Sequence, residues 1–261
     1  MKQKSLCQES AVYNSEIIKN NKSYIFSIII IVVSTFLVML SNTKFQEFKN
    51  IGSVGFANLF VFCLIKNSII EVFAPIIPNI AIIELIISEK FRSKKRIKRI
   101  ISVALRGGSS FIVASIIVLL IFIILSPTVG ETLFSINGIL PELYVSSKIG
   151  YIFFYIFHSL IFGSIFSLFG YSIFICSHNR FHVLVFAMLI YRISTFIPNI
   201  QNVTITNYLN VVLPFFPYEI TGFSDSLYTN IWQLVLILVV SLMLIYFNKE
   251  KRRLKNEMEE T

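Results

Sequence analysis

The sequence predicts an all-α, polytopic membrane protein with six transmembrane helices and both termini in the cytoplasm. Hydrophobic residues make up 55% of the 261-residue chain, and the mean hydropathy is +0.76. They form six stretches of membrane-spanning length, and the Lys and Arg residues cluster between alternate stretches. No segment between the stretches is long enough for a soluble domain, so residues 1–261 are predicted to form a single transmembrane domain.

Each apolar stretch is close to the length that a transmembrane helix needs. About 20 residues cross roughly 30 Å of hydrocarbon, and shorter helices span by bilayer thinning or by snorkelling of flanking polar residues. The predicted spans are residues 24–40, 68–87, 109–125, 151–175, 182–198 and 231–247.

The basic residues orient these spans. Cytoplasmic loops of membrane proteins carry an excess of Lys and Arg, and 18 of the 23 Lys and Arg residues fall on one face of the predicted topology. This predicts cytoplasmic tails at 1–23 and 248–261, a cytoplasmic loop at 88–108 and an external loop at 199–230. The topology also explains the net charge of +9, so the expected partner of the basic face is membrane lipid and not nucleic acid.

The sequence contains none of the motifs that mark common catalytic sites. It has no Gly-x-x-x-x-Gly-Lys-Ser/Thr phosphate loop, no His-Glu-x-x-His and no Gly-x-Ser-x-Gly. Its three histidines and three cysteines are scattered without metal-ligand spacing. We therefore expect no catalytic, cofactor-binding or metal site, and no enzymatic activity of the chain itself.

The second span combines prolines with charge. Pro75 and Pro78 predict a helix kink, because proline removes a helical hydrogen bond and clashes with the preceding turn. Glu71 lies near the predicted outer end of this span and Glu84 near its inner end, while Arg192 lies near the middle of span five. Charge inside a membrane is costly, about 2.5–3.5 kcal/mol for a central Arg, Lys or Asp. We expect Arg192 to pair with Glu71 or Glu84, either to brace the bundle or to line a polar pathway.

The cytoplasmic loop shows the clearest amphipathic pattern. Its apolar residues recur at i, i+3, i+4, i+7 and i+8, which predicts a short helix, and Gly107-Gly108 is expected to end that helix before span three. The helix either anchors the loop on lipid headgroups or docks a soluble partner. The apolar positions are Ile97, Ile100, Ile101, Ala104 and Leu105.

Two further features concern packing. In span four, Ser159, Gly163 and Ser167 recur every four residues, with Gly170 close by, and small residues at this interval let a neighbouring helix approach closely.

In the external loop, residues 208–218 read YLNVVLPFFPY, which is too apolar for a solvated loop. This segment is expected to be an external lid, a re-entrant element or an interfacial anchor.

The layout of the chain resembles the permease subunit of type 2 (ABC-2-like) bacterial ABC exporters. Shared features are the six spans, the cytoplasmic termini, the basic helical loop between spans two and three, and the hydrophobic external element between spans five and six. The run VFAPIIPNIAIIELIISEKFRSKKRIKRIIS is similar to the proline-bearing second span and charged loop of small permeases from Gram-positive bacteria. The resemblance covers most of the chain and rests on layout.

This resemblance implies a subunit of an ATP-driven exporter in a bacterial plasma membrane. A separate cytoplasmic ABC ATPase dimer would push on the loop helix, and a second permease copy or a related permease would complete the pathway. The substrate would be hydrophobic or amphipathic: a peptide such as a bacteriocin, a drug or a lipid-linked molecule. The alternative is an ATP-independent membrane immunity or sensor protein that binds a peptide at its external face.

Carried onto this sequence, the resemblance assigns two sets of residues. The candidates for ATPase coupling are Glu89, Arg92, Lys94, Lys95, Arg96, Ile97, Arg99, Ile100 and Ile101. The candidates for an external gate are Leu213, Pro214, Phe215, Phe216 and Pro217.

Overall fold

The protein is helical throughout the part of the chain that the structure describes. The structure is a computed structural model and describes residues 21–41, 60, 63, 73–88, 91, 95–125, 146–196, 231–232 and 234–248, with side chains only to residue 189 in the segment 146–196. The all-α prediction is confirmed for these residues. The helices are α1 (Lys22–Ser41), α2 (Ile77–Ile87), α3 (Arg96–Leu125), α4 (Lys148–Ser177), α5 (Arg180–Phe196) and α6 (Leu234–Asn248).

Three of the described helices are long and apolar enough to cross a membrane. These are α1 with 20 residues and α3 and α4 with 30 residues each, and at about 1.5 Å per residue even α1 is roughly 30 Å long. Many large apolar side chains on α1, α3 and α6 are exposed, which suits helices surrounded by lipid. Apolar helices of this kind indicate a membrane protein, while the count of six spans and the orientation of the termini stay predictions.

Helices α3 and α4 pack antiparallel through small residues. A Cβ added to Gly107 would collide with the Ser167 side chain and would lie 2.7 Å from the Gly163 carbonyl oxygen. Across the same interface, Ser167 Oγ donates a hydrogen bond of 3.1 Å to the Val103 carbonyl oxygen. Of the small residues predicted in span four, Gly163 and Ser167 therefore lie against α3. Gly170 faces other helices, because a Cβ there would meet Asn79 of α2 and Val183 of α5.

The expectation that Gly107 and Gly108 end a helix is wrong. Helix α3 continues through both glycines without a break, so the end of the basic loop and the third predicted span are one helix. Both glycines are buried, and a Cβ on Gly108 would lie 2.8 Å from the Leu160 carbonyl oxygen of α4. Glycine inside a helix costs about 1 kcal/mol relative to alanine, but here the missing Cβ lets two backbones approach, and the packing outweighs the local preference.

Aromatic side chains fill the core beyond the glycine contact. The Phe111 ring of α3 meets the Phe162 ring of α4 edge to face, with centroids 5.9 Å apart, and Phe162 also lies 4.4 Å from Phe166. All three side chains are about 1% exposed. Such pairs stabilise a core by about 0.5–1.5 kcal/mol beyond the area they bury, so the Phe111–Phe162 pair extends the α3–α4 contact beyond the glycines.

The two prolines of the second predicted span lie where a turn becomes a helix. Residues 74–76 form the turn, α2 begins at Ile77, and Pro78 is the second residue of the helix. The first N–H groups of a helix have no acceptor within it, so a proline at this position costs no helical hydrogen bond. The buried Asn79 side chain donates a hydrogen bond of 2.8 Å to the Pro75 carbonyl oxygen. The turn lies at the prolines, and a kink within one continuous second span stays a prediction, because residues 64–72 lie outside the described part of the chain.

Candidate functional site: the basic end of the helix bundle

Most of the candidate functional residues that the structure describes lie at one end of the bundle, where α1, α3 and α5 begin and α2, α4 and α6 end. We call this the basic end, because a group of basic residues lies there. Among the described residues, the group contains Lys22, Lys95, Arg96, Lys98, Arg99, Arg106 and Arg180.

Arg106 joins three helices at the basic end. From α3, its Nε donates to the Ala81 carbonyl oxygen of α2 at 2.7 Å, and its Nη1 donates to Asn21 Oδ1, just before α1, at 2.9 Å. The guanidinium carbon lies 5.2 Å from the centroid of the Tyr24 ring, within the range of a cation–π contact. A guanidinium presents its donors in a fixed planar arrangement, so this one side chain holds α1, α2 and α3 together.

Glu84 completes this Arg106 cluster from α2. Its Oε2 accepts a hydrogen bond of 3.0 Å from the backbone N–H of Ser23, which lies in the first turn of α1, where N–H groups have no partner inside the helix. A carboxylate is stabilised at a helix N-terminus, and the charge of Glu84 also attracts the Arg106 guanidinium. Glu84 is therefore bound to α1 and held electrostatically to α3.

A second group of contacts joins the ends of α3, α4 and α6. Arg96 Nη2 donates to the Ile245 carbonyl oxygen at 2.6 Å, and Asn248 Nδ2 donates to the Ile175 carbonyl oxygen at 3.1 Å. Both acceptors lie in the last turn of a helix, where carbonyls have no donor within the helix. Arg96 is therefore a structural contact at the end of α6.

The side of the first turns of α3 that faces away from the Arg96 contact with α6 is exposed. Ile97, Ile101 and Leu105 are 71%, 52% and 60% exposed, and because they lie four residues apart they form one stripe along the helix. We call these three residues the exposed stripe. Lys95 and Lys98 beside it are exposed as well. An apolar stripe bordered by basic residues suits a membrane surface or a protein partner.

The predicted coupling residues thus divide between two faces of α3. Lys95, Ile97 and Ile101 are exposed, whereas Arg96, Arg99 and Ile100 are half-buried. The sequence pattern placed Ile100 and Ala104 on one apolar face with the exposed stripe. In the structure both pack inward against a hydrophobic cluster of the bundle that contains Ile82, Ile86, Phe91, Val103, Leu168, Tyr171 and Ile245.

The other predicted site residues lie outside the described part of the chain, and their roles stay predictions. Arg192 is expected to pair with Glu71 or Glu84. Of these three side chains the structure describes only that of Glu84, whose contacts are given above. The residues concerned are Glu71, Glu89, Arg92, Lys94, the side chain of Arg192, and Leu213, Pro214, Phe215, Phe216 and Pro217.

No family model, characterised protein or solved structure significantly matches the chain. Within the described ranges, no group of three or more His, Cys, Asp or Glu residues is placed to hold a metal ion.

The sequence pattern did not single out Asn21, Tyr24 or Arg106. In the sequence, Arg106 is one more basic residue of the loop. The signal that points to Arg106 is its position relative to the predicted spans. Arg106 lies just before span three, and Glu84 lies just before the end of span two. When these two helices pack antiparallel, the opposite charges lie at the same depth in the membrane.

Proposed function

We propose that the chain is the membrane-spanning subunit of an ATP-driven ABC exporter in a bacterial plasma membrane. A separate ABC ATPase dimer binds at the basic end, which faces the cytoplasm, and a second permease copy or a related permease completes the pathway. The substrate is hydrophobic or amphipathic, of the class of peptides, drugs and lipid-linked molecules. The ATPase contacts the exposed stripe together with Lys95 and Lys98.

The continuity of α3 is the observation that carries this proposal. The helix begins with the exposed, basic segment and continues as one of the helices long and apolar enough to cross a membrane. A continuous helix is stiff over this length, so a displacement of its exposed start moves the whole helix. A loop broken at Gly107 and Gly108 would absorb the same displacement.

Two sets of contacts pass such a displacement to the other helices. The Arg106 cluster connects α3 to α1 and α2, and the close contact of Gly107 with Gly163 and Ser167 connects α3 to α4. Movement of α3 at the basic end therefore moves α1, α2 and α4 with it. This is the mechanical connection that a subunit driven by a separate ATPase needs.

Co-purification of the tagged chain from its native host tests the proposal. The eluate is assayed for a bound ATP-binding subunit and for ATP hydrolysis. The diagnostic variant is Lys95→Glu with Lys98→Glu, because both side chains are exposed. Arg96 is left unchanged, because its replacement would break the contact with Ile245. A loss of the ATPase could then result from a destabilised fold as well as from a lost docking contact. Lys22→Glu, exposed at the start of α1, is the matched control.

We expect an ATPase to elute with the wild-type chain and with Lys22→Glu, and to be lost from the double variant. An eluate that contains this chain alone and hydrolyses no ATP would overturn the exporter proposal in favour of an ATP-independent immunity or sensor protein. Retention of the ATPase by the double variant would instead exclude this face of α3 as the contact.

A further inference from the structure

The basic end contains a cavity that the proposed function does not use. It has a volume of about 570 Å³, within the range of small-molecule sites, and it lies among the ends of α2, α3, α4 and α6. Arg96, Arg99 and His178 give it a basic part, and Phe91, Tyr171 and Phe174 are among its apolar and aromatic lining residues.

Arg99 is the residue that points to a ligand. Its Nε is fully buried yet has no hydrogen-bond partner among the described residues. A buried donor without a partner costs about as much as a lost hydrogen bond, and more when the group is charged. The neighbouring Arg96 donates to the Ile245 carbonyl oxygen at the end of α6. A cation therefore already binds that helix end, so the end of α6 does not explain why Arg99 is buried there.

We propose that this cavity binds the phosphate group of an anionic phospholipid. Guanidinium groups match phosphate in charge and in the geometry of their donors, and Arg99 with Arg96 places two of them in one cavity. The apolar lining residues Phe174, Ile175 and Ile245 suit the glycerol and first acyl carbons, which a free phosphate lacks. The cavity also lies at the ends of apolar helices, the level at which lipid headgroups meet a membrane protein.

The site is independent of the ATPase proposal. It requires an apolar helix bundle in lipid, and it would serve an exporter and an immunity protein equally. The bound phosphate would place a negative charge beside the half-buried Arg99 side chain, which lines the cavity, and would join α3 to the ends of α4 and α6 through a ligand.

Lipid retention by the purified full chain tests the site. Wild-type protein in detergent is incubated with phosphatidylglycerol or with zwitterionic phosphatidylcholine, and bound lipid is counted by native mass spectrometry. The test variant is Arg99→Gln. Lys98→Gln is the matched control, since Lys98 directly precedes Arg99 on α3, carries the same charge and is exposed outside the cavity.

We expect the wild-type chain to retain phosphatidylglycerol in preference to phosphatidylcholine. Arg99→Gln should weaken that retention about tenfold, as the loss of a hydrogen bond to a charged group does, and Lys98→Gln by less than about twofold. If Arg99→Gln does not yield monodisperse protein, Arg99→Lys replaces it and should also lose more phosphatidylglycerol than Lys98→Gln.

Three results would overturn the proposal. Equal retention of the two lipids by the wild-type chain would show that the cavity does not select an anionic headgroup. Equal losses in the Arg99 and Lys98 variants would show general surface attraction. Complete displacement of phosphatidylglycerol by inorganic phosphate at an equal concentration would identify a site for a free anion, because such a competitor lacks the apolar contacts.

Discussion

Arg106 Nε donates a hydrogen bond of 2.7 Å to the carbonyl oxygen of Ala81, which is completely buried in α2. The bond reaches from one apolar helix into the middle of another, where water is scarce and an unpaired guanidinium would be costly. Because the same side chain also binds Asn21 and lies against Tyr24, it fixes the start of α1 and the middle of α2 relative to α3.

The first prediction concerns the shape of this side chain. Arg106→Lys should lower the free energy of unfolding by about 1.5–3 kcal/mol, the usual worth of a hydrogen bond to a charged group. Lysine keeps the charge, but one ammonium group does not reproduce the planar arrangement that reaches both Ala81 and Asn21. Thermal unfolding of the purified protein in detergent measures the loss. Lys98→Arg, at an exposed position, is the control and should unfold at the same temperature as the wild type. If Arg106→Lys also unfolded at the wild-type temperature, the Arg106 contacts would contribute nothing to stability.

The second prediction separates the two interactions of Glu84. Glu84→Ala removes the acceptor for the Ser23 N–H and should cost about 1–2 kcal/mol, as the loss of a helix cap does. Glu84→Gln keeps an oxygen acceptor and loses only the charge beside the α1 N-terminus and Arg106, so it should cost about 0.3–1 kcal/mol. Chemical denaturation of both variants gives the comparison. Equal losses would mean that charge, and not the hydrogen bond to Ser23, accounts for the effect.

The long apolar helices could be predicted from the sequence because length and composition alone specify them. The predicted spans 24–40 and 151–175 lie within the observed α1 and α4. The continuity of α3 could not be predicted in this way. Whether Gly107 ends a helix or permits a close contact depends on the residues that face it, and these, Gly163 and Ser167, lie on another helix.

The candidate site was predictable as a location but not as a set of contacts. Charge placed the important region at the start of α3. The partner of each charged side chain depends on which carbonyls fall within its reach after packing. The resemblance assigns Arg96 to ATPase coupling, and the sequence does not predict its hydrogen bond to the end of α6. Arg106 was counted only as loop charge, although it joins three helices.

The third prediction tests the close approach of α3 and α4. In an unobstructed helix, Gly→Ala stabilises by about 1 kcal/mol. Gly107→Ala should instead destabilise by about 1–3 kcal/mol, the usual cost of overpacking, because the new methyl group meets Ser167 and the Gly163 carbonyl oxygen. Gly163→Ala should behave alike, since its Cβ would lie 2.7 Å from the Gly107 carbonyl oxygen. A more stable Gly107→Ala protein would contradict the backbone contact.

The fourth prediction distinguishes docking from membrane anchoring at the exposed stripe. Replacing Ile97, Ile101 and Leu105 together by Gln should leave the free energy of unfolding in detergent within about 0.5 kcal/mol per site, as for surface substitutions in general, because these side chains are more than half exposed. The same change should reduce co-purification of the ATPase at least about tenfold, since the partner would bury three apolar side chains.

The matched control keeps the stripe apolar, with Leu at 97 and 101 and Ile at 105, and should retain the ATPase. Quantitative immunoblotting of the partner after affinity capture provides the measurement, alongside the fraction of each variant found in the membrane. If the Gln variant kept its ATPase but left the membrane fraction, the stripe would be an interfacial anchor, and the ATPase contact would have to lie elsewhere on the basic end. Loss of the ATPase from a variant that remains folded and membrane-bound is the result that the docking surface requires.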